Sequence, residues 1–318
     1  MITFRVDPFW IAIYKVRENN QTPINRLAGT IIMIIDFHTH IFPKNIRQSR
    51  STYFKNEPAF ELLYRSPKSK LAGADALVQT MDEQGVDQSV VFGFPWRTET
   101  VFKTHNDYVM DAVLRFPDRL IGFGCFDPTQ AGAAMETERC LENGLSGIGE
   151  LGFYNSGIDA TCIENLKAVM AICRQHGVPV MIHTNESVGH DYSGKTPVTL
   201  PQLDELIQAF PENTIVLAHW GGGLFFYALL KKEMKDHLSR VYFDTAASPF
   251  LYDPAIYRIA ADIIGPEKIL FGTDYPLLKP SRYIWEMQKA GLNPDEIHSI
   301  CYGNARKLLK LGKEPDYS

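Results

Sequence analysis

Pairs of cysteines at metal- or redox-type spacing are missing from this sequence. Its five cysteines, Cys125, Cys140, Cys162, Cys173 and Cys301, are odd in number and form no C-x-x-C. Neither a disulfide framework nor a thiolate zinc site is signalled, and a reducing, cytoplasmic location is expected. Positive charge is not in excess: 32 Lys and Arg stand against 37 Asp and Glu, a net charge of -5. That balance supplies no overall field for nucleic acid or anionic lipid, so neither is an expected partner. Long apolar runs are also lacking. The stretch over residues 9–14 follows Asp7 and Pro8 and is broken by Lys15 and Arg17, too short for a signal core or a membrane span. No strand candidate runs directly into a glycine-rich phosphate turn that opens a helix, which leaves a nucleotide-binding crevice without a motif. Linkers rich in Gly, Ser or Pro that would divide the chain are absent.

What is present suits one sizeable core. The 318 residues are 45% hydrophobic and 22% charged, and the length accommodates two domains or one α/β barrel of about 250 residues with additions. From residue 31 onward one theme recurs eight times: a short apolar run, a polar residue at its C-terminal end, then a helical pattern. The runs cover residues 31–36, 88–94, 119–126, 146–150, 178–182, 213–218, 240–243 and 268–273. Helical patterns between them close at glycines such as Gly85, Gly144 and Gly177. Eight such units predict a closed (β/α)8 TIM barrel, with an open doubly wound sheet as the alternative. Residues 41–70 and the long connection after His183 are expected on the C-terminal rim. Residues 33–318 read as a single barrel domain and residues 1–32 as a peripheral N-terminal extension, where Trp10, Ala12 and Tyr14 alternate like an added strand. Met33 stands directly before the first strong strand, which makes 1–32 a candidate segment upstream of the native translation start.

The strongest local signal is Asp36-Phe37-His38-Thr39-His40, because side chains two apart on a strand share a face. On that alternation Asp36, His38 and His40 point together, and two imidazoles at this spacing can share one zinc ion. An isolated H-x-H is cheap. A barrel, however, brings every strand's C-terminal end to one rim, and His183, His219 and Asp274 each end a strand. Alternation pairs Met181 with His183, Leu217 with His219, Gly272 with Asp274 and Ile148 with Glu150. Three histidines, an aspartate and water form a plausible mononuclear site, and Glu150 with His219 offers a second ion a place.

At these residues the sequence resembles the amidohydrolase superfamily, and within it the amidohydrolase-2 branch, which includes aminocarboxymuconate-semialdehyde decarboxylase, resorcylate-type decarboxylases and several carboxylic-acid hydrolases. The likeness spans residues 33–311 and is carried by IIDFHTHIFP, GIGELGFY, VMIHT, VLAHWGGG, LFGTDYPL and CYGNARKLLKL. It implies that His38, His40, His183 and Asp274 hold zinc or a related divalent ion. It also implies that His219 acts beside the substrate as an acid/base group or binds a second metal. GIGELGFY is similar to the strand-four motif of TatD-type hydrolases, whose glutamate bridges two ions, so Glu150 joins the expected ligands. No strand-four lysine occurs, which removes a carbamylated-lysine bridge.

The leading expectation is a metal-dependent hydrolase of a small amide, ester or lactone. One or two ions, zinc first, lower the pKa of bound water toward about 7, Asp274 moves the proton, and the metal or His219 polarises the carbonyl. The alternative is a non-oxidative decarboxylase of an aromatic or unsaturated carboxylic acid, with His219 protonating the carbon that loses carbon dioxide. An arginine clamp would favour the alternative, and Arg47, Arg50 and Arg97 are the candidates. A TatD-like nuclease is disfavoured by the acidic chain. The expected partner is a small-molecule substrate, with a homo-oligomer left open. Weaker readings place His105 at a helix start, His176, His237 and His298 as structural or solvated, His190 within reach of the substrate, and Trp96 and Trp220 on the pocket wall or in packing. Asp36 reads as an anchor behind a ligand, and Asp244 and Ser248 as substrate contacts or as partners behind the ligands. Gly221-Gly222-Gly223 reads as a weak phosphate cradle or as close backbone passage beside His219.

Overall fold

The computed structural model describes residues 26–27, 30–31, 33–154 and 157–312; the strand-like alternation at Trp10, Ala12 and Tyr14 lies outside them. A short antiparallel ladder, Arg26–Leu27 with Thr30–Ile31, precedes the barrel. Eight parallel strands follow: β1 (Ile35–His40), β2 (Gln88–Phe92), β3 (Leu120–Gly124), β4 (Gly147–Leu151), β5 (Val180–Ile182), β6 (Ile215–Leu217), β7 (Val241–Asp244) and β8 (Ile269–Leu270), each paired with the next. The cylinder closes where the chain after β8 meets β1. There Phe37 N donates to Phe271 O at 2.7 Å, Asp274 N to His38 O at 3.0 Å and His40 N to Tyr275 O at 2.9 Å. The (β/α)8 barrel predicted from the eightfold repeat is the observed fold.

Strands buried on both faces explain the continuous apolar runs. Ile35, Phe37, Val90, Phe92, Phe123, Met181, Val216 and Leu270 pack inside the cylinder, where Tyr302, Ala305 and the C-terminal Leu308 and Leu309 close its lower end. A larger cluster, including Val91, Ile148, Leu166, Leu217 and Tyr283, lies between the strands and the helices. The main outer helices are α1 (Ala74–Gln84), α2 (Glu99–Arg115), α3 (Ala133–Glu142), α4 (Ala160–His176), α5 (Leu200–Ala209), α6 (Ala255–Ile264) and α7 (Pro280–Lys289). Gly85 and Gly177 end α1 and α4 in the left-handed conformation that glycine adopts without penalty. The rim insert over residues 41–70 is itself helical, at Lys44–Gln48, Arg50–Tyr53 and Pro58–Tyr64. Phe60 and Tyr64 anchor it against Phe42 and Phe94. Its short turns conceal any helical period in the sequence. Among the described residues no helix is long and apolar enough to cross a membrane.

Simple alternation fails at three places, each with a local cause. The pairing of β1 with β2 shifts register between Asp36 and Thr39, a bulge that breaks the period of two. Asp36 therefore does not join His38 and His40 but bonds the backbone N and Oγ1 of Thr273, at 3.0 and 2.5 Å. A second shift lies between Ile148 and Leu151, which leaves Ile148 in the outer cluster while Glu150 faces inward. Leu217 is also outside, and His219 reaches the interior through a left-handed kink at φ 55°.

His105 lies in the middle of α2 rather than at a helix start, fully buried. Trp96 Nε1 donates to its Nδ1 and its Nε2 donates to Ile41 O, both at 2.7 Å. Burial lowers its pKa from 6.5 to about 4, against the Ile41 hydrogen bond, which raises it. The native ring thus refuses a proton that the unfolded chain accepts between those values. Its contribution is complete above pH 6.5 and is lost as the pH falls toward about 4. At about 1.4 kcal/mol per unit, the unfolding free energy should drop by on the order of 2–3 kcal/mol more between pH 7 and 4.5 in the native protein than in His105→Gln. Equal slopes in urea titrations of the two proteins would contradict this account.

Candidate metal centre

Four imidazoles and two carboxylates converge at the C-terminal mouth of the barrel, and each ring is held from behind. His38 Nδ1 meets Asp244 Oδ2 at 2.8 Å, and Asp244 Oδ1 accepts from the backbone N of His219 and of Ala246. His40 Nδ1 meets Gly93 O at 2.9 Å, His219 Nδ1 meets Ala246 O at 3.0 Å and His183 Nε2 meets Gly194 O at 2.9 Å. An acceptor on the outer nitrogen places the proton there and turns the other nitrogen inward as a lone pair, the arrangement in which histidines hold metals.

The inward atoms surround Glu150 and Asp274. His38 Nε2 is 3.8 Å from Glu150 Oε2 and 3.7 Å from Asp274 Oδ1. His40 Nε2 is 3.9 and 3.4 Å from the same two atoms. On the other side of Glu150, Oε1 is 2.9 Å from His183 Nδ1 and 3.4 Å from His219 Nε2. Donors bound at about 2.1 Å to one ion stand roughly 3–3.5 Å apart; the gaps of 3.4 Å match that spacing, the His183 gap of 2.9 Å is slightly shorter, and those of 3.7, 3.8 and 3.9 Å are longer. His38 Nε2 supplies the sharper test: it is buried and has no hydrogen-bond partner, a cost that a bound cation removes. Two tight ligand groups result, His38–His40–Asp274 and His38–Glu150–His219. His183 stands outside both.

The charges are strongly coupled. Burial would lower the His219 pKa, but the hydrogen bond and charge of Glu150 raise it to about 9. Burial would raise Asp274, but the His40 hydrogen bond and the charges of His38, His40 and His219 bring it down to about 2. Glu150 lies well below its usual range, because His183 and His38 outweigh its desolvation. Asp36 behaves otherwise: burial raises it to about 7 against its Thr273 and His38 bonds, in keeping with an anchor.

The three arginine candidates do not form a clamp. Arg47 donates to Phe42 O, Arg50 to the carbonyls of Tyr64, Ser66 and Ser69, and Arg97 pairs with Asp127 at 3.6 Å. Trp96 and Trp220 are fully buried packing residues, Trp220 donating to Ser248 Oγ. Gly221 to Gly223 follow His219 with φ of 61, 58 and 92°, and a Cβ on Gly222 would lie 2.2 Å from Asn185 O. Close backbone passage, not a phosphate cradle, accounts for them. His190 is exposed on the rim loop. Two strings match nucleotide-loop spellings, residues 147–152 and 189–196. The first is strand β4 itself. The second is a rim loop whose Lys195 Nζ is taken by the carbonyls of Val188 and His190, and no helix begins before Leu200.

Sequence reading missed the tyrosines. Tyr154 stacks on His183 at 5.2 Å and 26°, and Phe94 stacks behind it at 6.1 Å. Burial pushes the phenols of Tyr64 and Tyr154 well above their usual range, and the charges of Asp274 and Glu150 add to the effect. Nothing in their spacing marked them, since they sit on the rim insert and the loop after β4.

Comparison with known proteins fits this geometry. The amidohydrolase family model matches residues 35–311. A 2-amino-3-carboxymuconate-6-semialdehyde decarboxylase of Dictyostelium discoideum is 24% identical, covering 87% of this chain and 91% of its own. A gamma-resorcylate decarboxylase of a Polaromonas species is 23% identical, covering 75% and 88%. Among solved structures, 5-carboxyvanillate decarboxylase of Sphingomonas paucimobilis superposes with a TM-score of 0.71 at 19% identity, over 88% of this chain and 100% of the other. The enzyme of the same name from Novosphingobium aromaticivorans, complexed with manganese, gives 0.73 at 18% over 91% and 99%. That manganese and the ligand groups here support a divalent metal. Both curated relatives are decarboxylases, which overturns the expected hydrolase in favour of the alternative.

Asp244 is the acceptor on which the His38 tautomer depends. Asp244→Asn should weaken binding of the first divalent ion by about 10–100-fold, read by chelator competition, with the circular dichroism spectrum unchanged. An unaltered affinity would remove Asp244 from the metal's support.

Proposed function

The chain belongs to the amidohydrolase family, and on that premise we propose that it is a metal-dependent, non-oxidative decarboxylase of a small hydroxy-substituted aromatic or unsaturated carboxylic acid. The observation that carries the reading is the pair of decarboxylases that align along most of the chain, taken with the unpartnered His38 Nε2 at the centre of the site. His38, His40 and Asp274 would hold the ion, and Glu150, His183 and His219 complete the surroundings. Zinc follows from the ligand types and manganese from the relatives, and loading with each in turn separates them.

A divalent ion bound there supplies a positive centre that draws together a carboxylate and a neighbouring hydroxyl of the substrate. The protein's own groups do the rest. The stacked rings of Phe94, Tyr154 and His183 offer a flat wall to a planar acid. His219, its Nδ1 proton held by Ala246 O, takes a second proton on Nε2 because Glu150 raises its pKa to about 9, and delivers that proton to the carbon bearing the carboxylate. The electron pair of the breaking carbon–carbon bond then replaces the one used for the new C–H bond, and carbon dioxide leaves. His219 regains its proton from solvent at the open rim, where Asp274 is partly exposed. The free and buried cysteines suit a reducing cytoplasm.

Metal-loaded protein should release carbon dioxide from members of a panel of hydroxybenzoates and unsaturated hydroxy acids, and in deuterium oxide the vacated carbon should carry deuterium. His219→Gln should cut kcat by about 10²–10⁴-fold while the ion held by His38, His40 and Asp274 remains. No carbon dioxide from any acid in the panel would overturn the reading.

A further inference from the structure

Tyr64 and Tyr154 each pack a ring that phenylalanine could supply as well. Tyr64 is surrounded by Phe60 at 4.8 Å, Phe42 at 5.4 Å and Phe94 at 5.9 Å between ring centres, and Tyr154 lies between Phe94 and His183. None of these contacts uses a hydroxyl. Both side chains are half-buried, and among the described residues neither phenol has a hydrogen-bond partner. Other rim phenols are spent locally: Tyr53 Oη accepts from Asn45 Nδ2 at 2.9 Å, and Tyr192 Oη donates to Glu186 Oε2 at 3.0 Å. Tyr64 and Tyr154 thus forgo a bond that tyrosines in packed surroundings ordinarily make.

The position of Tyr64 is fixed by the protein itself. Glu57, only 2% exposed, clasps the rim insert to the start of α2 by accepting from Arg97 N at 3.0 Å and Thr98 N at 2.8 Å. Arg50 Nη1 holds the Tyr64 carbonyl together with those of Ser66 and Ser69. The Tyr64 ring stands at 80° to Phe94 and so closes the stacked row of His183, Tyr154 and Phe94. The charges of Asp274 and Glu150 reach both phenols, and Tyr64 reaches Tyr154, which puts the two hydroxyls at the barrel mouth rather than on the outer surface. A phenol carries no charge at neutral pH and can donate one hydrogen bond. With two carboxylates near and the rim arginines committed elsewhere, such donors suit a neutral oxygen better than a second anion.

We propose that Tyr64, with Tyr154 as a second donor beside it, sets substrate specificity by hydrogen-bonding a neutral oxygen substituent, such as a methoxy or carbonyl oxygen, on the substrate edge away from the metal. The assignment rests on the decarboxylase reading for its class of acid and adds the substituent, which that reading leaves open. An acid that carries the oxygen gains the bond, and one that lacks it leaves the hydroxyls unpaired.

The experiment is calorimetry on the full-length, manganese-loaded protein with 4-methoxy- and 5-methoxy-2-hydroxybenzoate, each set against its ethyl counterpart, which matches it in shape but cannot accept a hydrogen bond. In one of the two pairs the methoxy acid should bind about 10-fold more tightly. Tyr64→Phe should remove that preference, and Tyr154→Phe should reduce it. In both variants the affinity for the ethyl acid and the bound manganese should stay as in the native protein, which a packing defect would not allow. Equal affinities within both pairs in the native protein overturn the assignment. So does an unaltered preference in Tyr64→Phe, or an equal loss for both acids of a pair. Failure of every acid to bind overturns it together with the substrate class. Carbon dioxide release is measured separately: a methoxy preference governed by Tyr64, with no release from any acid, ends the decarboxylase reading and leaves the binding role standing.

Discussion

Every property of the mouth depends on how the backs of four imidazoles are bonded. Asp244, Gly93, Gly194 and Ala246 each present an oxygen to one ring nitrogen, and that contact decides which nitrogen is left facing the centre. Were the outer acceptors absent, tautomers would interchange and the inward lone pairs would be lost part of the time. Three of the four acceptors are backbone carbonyls, so the barrel's own geometry does most of the orienting. The fourth, Asp244, also accepts from two backbone N–H groups, which ties His38, His219 and the end of β7 into one unit.

The same constraint explains the strained backbone at the rim. His219 and Asp274 both have positive φ, at 55 and 58°, an uncommon conformation for residues with a Cβ. Each stands where a strand ends and the chain must turn a side chain inward at once. Gly221, Gly222 and Gly223 continue the left-handed turn after His219, and at Gly222 the neighbouring Asn185 carbonyl leaves no room for a larger residue. The triple glycine is thus the backbone's answer to the position of His219.

Relations of charge separate this site from an arginine-based one. The rim arginines are committed to loop carbonyls and to Asp127, and the buried positive charge comes from histidines and whatever ion they hold. The wall beside them is aromatic. A planar acid carrying its own hydroxyl suits such a surface, since the ring stacks and the polar edge points toward the histidines and carboxylates.

Much of this was legible in the sequence alone. The eightfold alternation of apolar run and amphipathic helix determined the closed barrel, because parallel strands buried on both faces need that pattern. The polar residue at each strand end likewise marked His38, His40, Glu150, His183, His219 and Asp274 before any coordinates. What the sequence could not express is direction. A bulge in β1 turned Asp36 away from His38 and His40, an irregularity in β4 separated Glu150 from Ile148, and a left-handed kink carried His219 inward past Leu217. The division of these six residues into ligand groups, and the exclusion of His183 from both tight groups, were decided by tertiary structure. Hydrogen-bond acceptors such as the Gly194 and Ala246 carbonyls belong to every residue alike, so their roles appear only when folding brings them against a particular ring.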